Sequence, residues 1–170
     1  MPARRPALPF LPALALLLAA ALPARADTLA RIASPGDVLV VTVDSQHESR
    51  PSYSVERNGQ AVIAPSRLGF LLGDGRLERN VELVGQSSRS VDETWEQPWG
   101  ERRLTRNHYN ELRANFEEKG SGRRFDVVFR VYDDGIGFRY EFPQQKAMKE
   151  ARIRAELTEF TLARPATAWW

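Results

Sequence analysis

The chain has 170 residues and 19.2 kDa, the length of one ordinary domain. A hydrophobic fraction of 42% with 27% charged residues is globular and excludes wholesale disorder. The absence of cysteine excludes a disulfide framework, a thiolate zinc site, an iron–sulfur cluster and a cysteine nucleophile, and two histidines speak against a His-rich metal site.

Residues 1–26 read as a secretory signal peptide. Arg4 and Arg5 form a positive start, Phe10 to Leu22 is an apolar run broken only by Pro12, and Ala24-Arg25-Ala26 puts small residues at the −3 and −1 positions of a cleavage site. The run of 13 residues is shorter than the ~20 a spanning helix needs, so no stable membrane span is expected. A periplasmic or secreted location is. Cleavage after Ala26 leaves 144 residues and removes three arginines but no acids, taking the formal charge from +2 to −1. No basic stripe then argues for nucleic acid.

From Asp27 onward no helical period of convincing length appears; short alternating runs separated by turn signals appear instead. Ser34-Pro35-Gly36-Asp37 is a turn, and Val38 to Val43 a β-branched strand. Tyr53 to Arg57, Asn58-Gly59 and Gln60 to Ile63 read as a two-residue hairpin, because Asn-Gly tolerates the two positive φ angles of a type I′ turn. Arg67 to Leu72 is a further strand ending at Gly73-Asp74-Gly75, and Val81 to Val84 a short apolar run. His108, Asn110, Leu112, Ala114 and Phe116 share one strand face; Tyr109, Glu111, Arg113, Asn115 and Glu117 share the other. After Lys119-Gly120-Ser121-Gly122, Phe125, Val127, Phe129 and Val131 alternate with Asp126, Val128, Arg130 and Tyr132. Asp133-Asp134-Gly135 turns the chain into Ile136 to Phe142, which Pro143 ends. Gln144 to Arg152 is a loop or a single helical turn, and Ile153 to Leu162 a final strand. The whole predicts an all-β, antiparallel β-sandwich over 27–170.

The most distinctive stretch, Asp92 to Glu101, has four carboxylates and two tryptophans in ten residues. It reads as a loop between strands. Indole faces stack on the C–H faces of a pyranose and carboxylates accept from its hydroxyls, so Trp95, Glu96 and Trp99 are candidates for sugar binding. Because Trp is usually well buried, a loop whose tryptophans pack on the sheet is the favoured reading. Glycoside chemistry would need two carboxyl groups ~5–9.5 Å apart, a separation that sequence does not supply. Asp133-Asp134-Gly135 reads as a hairpin turn rather than a calcium loop, since the EF-hand spacing is absent. No Gly-x-Ser-x-Gly elbow, P-loop, dinucleotide fingerprint or zinc-protease motif occurs, and His108 reads as structural or exposed. The ending Trp169-Trp170 is unusual, since termini are mostly polar. The two indoles either cover their own sandwich or mark a chain cut before its next domain.

Seven segments, in order, resemble the N-terminal domain of glycoside hydrolase family 97: Pro65-Ser66-Arg67-Leu68-Gly69, Ser90-Val91-Asp92-Glu93-Thr94-Trp95, Pro98-Trp99-Gly100-Glu101, His108-Tyr109-Asn110-Glu111-Leu112, Phe129-Arg130-Val131-Tyr132-Asp133-Asp134-Gly135, Phe138-Arg139-Tyr140-Glu141-Phe142-Pro143 and Thr167-Ala168-Trp169-Trp170. The resemblance implies a large sandwich, similar to mutarotase-like super-sandwiches, followed by a (β/α)8 catalytic barrel and a small β-domain. It implies secreted bacterial α-glucosidases or α-galactosidases that hold calcium near carboxylates of the barrel. None of the family's catalytic residues or calcium ligands maps onto this chain, so no catalytic residue, metal ligand or cofactor is assigned to it. Two functions are expected. In the first, the chain is a non-hydrolytic sandwich, incomplete at its C-terminal end, that packs on a barrel and shapes its sugar site through Thr94 to Glu111. In the second, it is a free-standing periplasmic carbohydrate-binding module with a platform of Trp95, Trp99 and Tyr109 for α-linked glucosides or galactosides. The candidate residues for sugar binding or barrel docking are Trp95, Glu96, Trp99, His108, Tyr109, Asn110, Trp169 and Trp170. An autonomous hydrolase is a distant third.

Overall fold

A computed structural model describes residues 27–167. The expected signal peptide and the Trp169-Trp170 pair lie outside the described residues. Eleven strands follow in order: β1 Asp27–Ala33, β2 Leu39–Gln46, β3 Arg50–Arg57, β4 Gln60–Arg67, β5 Phe70–Leu72, β6 Gly75–Leu77, β7 Val81–Glu96, β8 Leu104–Glu118, β9 Arg124–Val131, β10 Ile136–Glu141 and β11 Ile153–Glu156. They form three antiparallel sheets, ordered β1-β2-β3-β4, β10-β9-β8-β7 and β11-β5-β6. The described residues include no α-helix.

The two four-stranded sheets face each other across one core. Val41 and Val43 of β2 and Tyr53 and Val55 of β3 meet Leu112, Ala114 and Phe116 of β8 and Phe125, Val127, Phe129 and Val131 of β9. These are the alternate residues the two-residue period assigns to one face. Tyr53, fully buried, stands 5.8 Å from Phe129 and 5.2 Å from Phe138 between ring centroids. Burying one such ring contributes roughly 2–3 kcal/mol on the usual area scale. The short third sheet closes one end, with Phe70 packed against Phe125, Tyr140 and Phe142.

The expected Asn58-Gly59 hairpin is present: Arg57 pairs with Gln60, and Asn58 and Gly59 take φ of 49° and 75°, as a type I′ turn requires. The expected strand Arg67 to Leu72 is instead broken at Leu68-Gly69. Gly69 turns at φ 138°, and a Cβ there would lie 2.4 Å from the carbonyl of Leu77. The expected final strand is also shorter. Only Ile153–Glu156 joins the third sheet. The chain then runs along the edge of β4, where Glu159 N–H donates to Arg67 O, Ala64 N–H to Thr161 O and Ala163 N–H to Val62 O at 2.8–3.0 Å. The Tyr53 hydroxyl holds this strap from inside by donating to Glu159 O at 2.9 Å.

The turn at Asp133-Asp134-Gly135 joins the sheets. Asp133 Oδ1 accepts from Gly36 N–H at 2.7 Å, tying the β9–β10 turn to the β1–β2 turn. The bond that Ser34 makes to Asp133, followed by that of Gly36, holds this carboxyl below the usual aspartate value.

Candidate functional site

The largest departure from the sequence reading is at the candidate site. Asp92 to Glu96 is not a loop. It is the distal part of the 16-residue strand β7, paired residue for residue with β8 from Val91↔Tyr109 to Glu96↔Leu104. Strand β9 joins β8 only from Asn110 onward. Six residue pairs therefore stand off the sheet as a two-stranded arm, about 20 Å long at 3.4 Å per residue. Gln97 to Arg103 forms its tip, closed by Gln97 N–H to Arg103 O at 2.9 Å.

Directly opposed residues in an antiparallel pair share a face, and this sorts the candidates. Trp95 with Thr105, Glu93 with Asn107 and Val91 with Tyr109 lie on the face away from the core. Glu96 with Leu104, Asp92 with His108 and Ser90 with Asn110 lie on the other. Trp99 sits in the tip. Trp95 is 49% exposed, Trp99 75% and Leu104 61%. The favoured expectation of tryptophans packed against the sheet is thus overturned: a two-stranded arm has no second layer to bury them. The expected platform of Trp95, Trp99 and Tyr109 is not formed either. Tyr109 is 3% exposed, beneath the Arg130 guanidinium at 4.7 Å and beside Tyr132. Asn110 is a tie to the opposite sheet, donating from Nδ2 to Ala33 O at 2.9 Å and accepting from Ser90 Oγ. His108 is half-buried opposite Asp92.

Three of the arm's carboxylates are engaged. Arg106 grips Asp92 with two bonds of 2.8 and 2.7 Å, Asn107 donates to Glu93 at 2.7 Å, and Arg103 donates to Glu96 at 2.7 Å. The hydrogen bond from Arg106 holds the Asp92 carboxyl below the usual aspartate value, and the same bond to Asp92 raises Arg106. At the root of the arm Glu111, 6% exposed, accepts from Arg89 at 2.7 Å and from Arg130 at 2.9 Å. Arg89 first, then Arg130, hold its carboxyl below the glutamate value against the opposing effect of burial. Sequence reasoning missed this cluster. The signal was there in Glu111 and Arg130, each on the wetter face of its strand. Among the described residues no three His, Asp or Glu side chains are placed to hold a metal ion. No helix among the described residues is long and apolar enough to cross a membrane.

The family model described as "Glycosyl-hydrolase 97 N-terminal" matches residues 32–170. The chain belongs to this N-terminal domain family of glycoside hydrolase family 97. It is 36% identical over 115 residues, 68% of the chain, to a probable retaining α-galactosidase of Streptomyces bingchenggensis. It is 30% identical over 138 residues, 81% of the chain, to a retaining α-galactosidase of Bacteroides thetaiotaomicron. The chain spans under a fifth of the length of these curated relatives, 17% and 19%. Among solved structures, a family 97 enzyme of Pseudoalteromonas sp. strain K8, in complex with acarbose, superposes with a TM-score of 0.74 at 32% identity, over 79% of this chain and 20% of that one. A β-arabinopyranosidase gives 0.72 at 29% identity, over 78% and 21%. The chain thus corresponds to a small part of much longer glycosidases.

Proposed function

We propose that this chain is the non-catalytic sandwich of a family 97 glycosidase, acting on α-linked galactosides or glucosides, and that the β7–β8 arm is the surface by which it meets the catalytic domain and walls its sugar site. The observation that carries this reading is the exposure of Trp95 and Trp99, and of Leu104 on the opposite face, on a two-stranded arm. Indole and leucyl surface left in water is costly, and aromatic anchors of this kind dominate interfaces. The engagement of Asp92, Glu93 and Glu96 by Arg106, Asn107 and Arg103 supports a structural use of these acids. This reading puts the calcium expected from the resemblance with the catalytic domain. It also makes the parent an exported protein, in keeping with the Arg4 to Ala26 pattern.

Co-expression with the remainder of a family 97 α-galactosidase tests the docking role. The chain is expected to co-purify with that remainder, and the Trp95→Ala/Trp99→Ala double variant to lose at least tenfold in affinity, as truncation of two anchors predicts. A double variant that folds and docks as tightly as the parent overturns the arm as the interface.

The same exposed indoles favour a second reading, a free-standing carbohydrate-binding module. Calorimetry of the chain against α-linked glucose and galactose oligosaccharides separates the two. Saturable heat that is lost in the double variant supports the module; none at millimolar sugar removes it.

A further inference from the structure

The outer face of the β10-β9-β8-β7 sheet carries a second feature, at the root of the arm and outside its docking role. Arg89, Arg113, Arg130 and Arg139 share this face with Glu111, Asp126 and Glu141. Around the basin that is four arginines to three carboxylates; farther along the face Glu117 pairs with Arg124 and Glu82 with Lys119, and Glu93 lies out on the arm. All six carboxylate oxygens already accept. Those of Glu111 take Arg89 and Arg130; those of Asp126 take Arg113 and Asn115; those of Glu141 take Arg113 and Arg139. The donors are not used up. Arg89 gives only its Nε, so both of its terminal nitrogens lack a partner among the described residues. Arg113 gives only Nη1, and Arg139 keeps Nη1 free. These three arginines, with Ser87, Ser88 and Glu111, line a cavity of about 310 Å3.

We propose that this basin binds a small oxyanion, a sulfate- or carboxylate-type group supplied by a free inorganic anion or by an acidic saccharide. Guanidinium forks match the geometry of such groups, and bonds between two charged partners are about twice as strong as neutral ones. The acids of the basin hold Arg89 and Arg113 through one nitrogen each and Arg139 through two, leaving at least one terminal nitrogen of each without a partner among the described residues. The site is independent of the docking role of Trp95 and Trp99.

Sodium sulfate, titrated into the chain at an ionic strength held constant with sodium chloride, is followed by NMR of the arginine Nε–H signals. The expected result is saturable shifts at Arg89, Arg113 and Arg139, weakened about tenfold in Arg89→Gln and in Arg139→Gln and unchanged in Arg57→Gln, which lies on the β3–β4 hairpin. Glu111 keeps Arg130 in Arg89→Gln, so that variant retains its fold. Galacturonate and galactose identify the source. Binding of galacturonate without galactose supports an acidic saccharide, and binding of sulfate alone supports a free anion. Shifts that never saturate, shifts indifferent to both arginine variants, or equal binding of galactose show an adventitious ion only and overturn the proposal.

Discussion

Glu111 shows how one side chain sets the root of the arm. Its carboxylate is bonded by Arg89 and Arg130, and Arg130 in turn lies over the ring of Tyr109. Glu111→Gln weakens both bonds. With Arg89 largely in solvent, the expected cost near neutral pH is about 1 kcal/mol. The folded carboxyl sits below its unfolded value. Its contribution is therefore complete above the ordinary glutamate value of about 4.3 and is lost as the pH falls through the depressed folded value. Urea denaturation at a series of pH values checks this: the gap between parent and Glu111→Gln should close on acidification, and a gap that widens contradicts the sign. Tyr53 supplies the counterpart in the core. Tyr53→Phe keeps the ring and removes only the bond to Glu159 O, with an expected loss of about 1 kcal/mol and faster amide exchange at Glu159 and Ala163.

Among the elements, what was legible in the sequence was what the core enforces. The alternation of Phe125, Val127, Phe129 and Val131 is visible because every second residue is buried against the other sheet, and Asn58-Gly59 is visible because its backbone angles require those residues. A side chain at Gly59 has open space around it, so the cost of Gly59→Ala is purely one of backbone angle, about 1 kcal/mol. Equilibrium unfolding of that variant measures it, and an unchanged midpoint contradicts the type I′ assignment. The distal half of β7 was illegible for the opposite reason. From Gln86 to Glu96 it buries no face, so it shows no alternation, and its strand character comes entirely from pairing with β8. Strand β1 went unread because only Ala30 of its residues is buried. The strap after Glu156 was read as continuous strand because its β-forming residues are the same; its hydrogen bonds to the edge of β4 are too intermittent to make it one. The acids and tryptophans of the arm were recognised by type, but their faces, and the burial of Tyr109, depend on a register that only the β7–β8 pairing fixes.

For the molecule as a whole, a closed core and a long exposed arm coexist in one family 97 domain. The core explains stability; the arm, with bulky apolar side chains in water and its acids held by Arg106, Asn107 and Arg103, is the observation on which the proposed docking role rests. The most direct measurement is nitrophenol release from nitrophenyl α-galactoside and α-glucoside by the purified chain, beside a family 97 α-galactosidase under the same conditions. The account predicts no release above buffer from the chain while the longer enzyme turns over. Release that scales with the concentration of the chain, and falls in Asp92→Asn or Glu93→Gln, would contradict it.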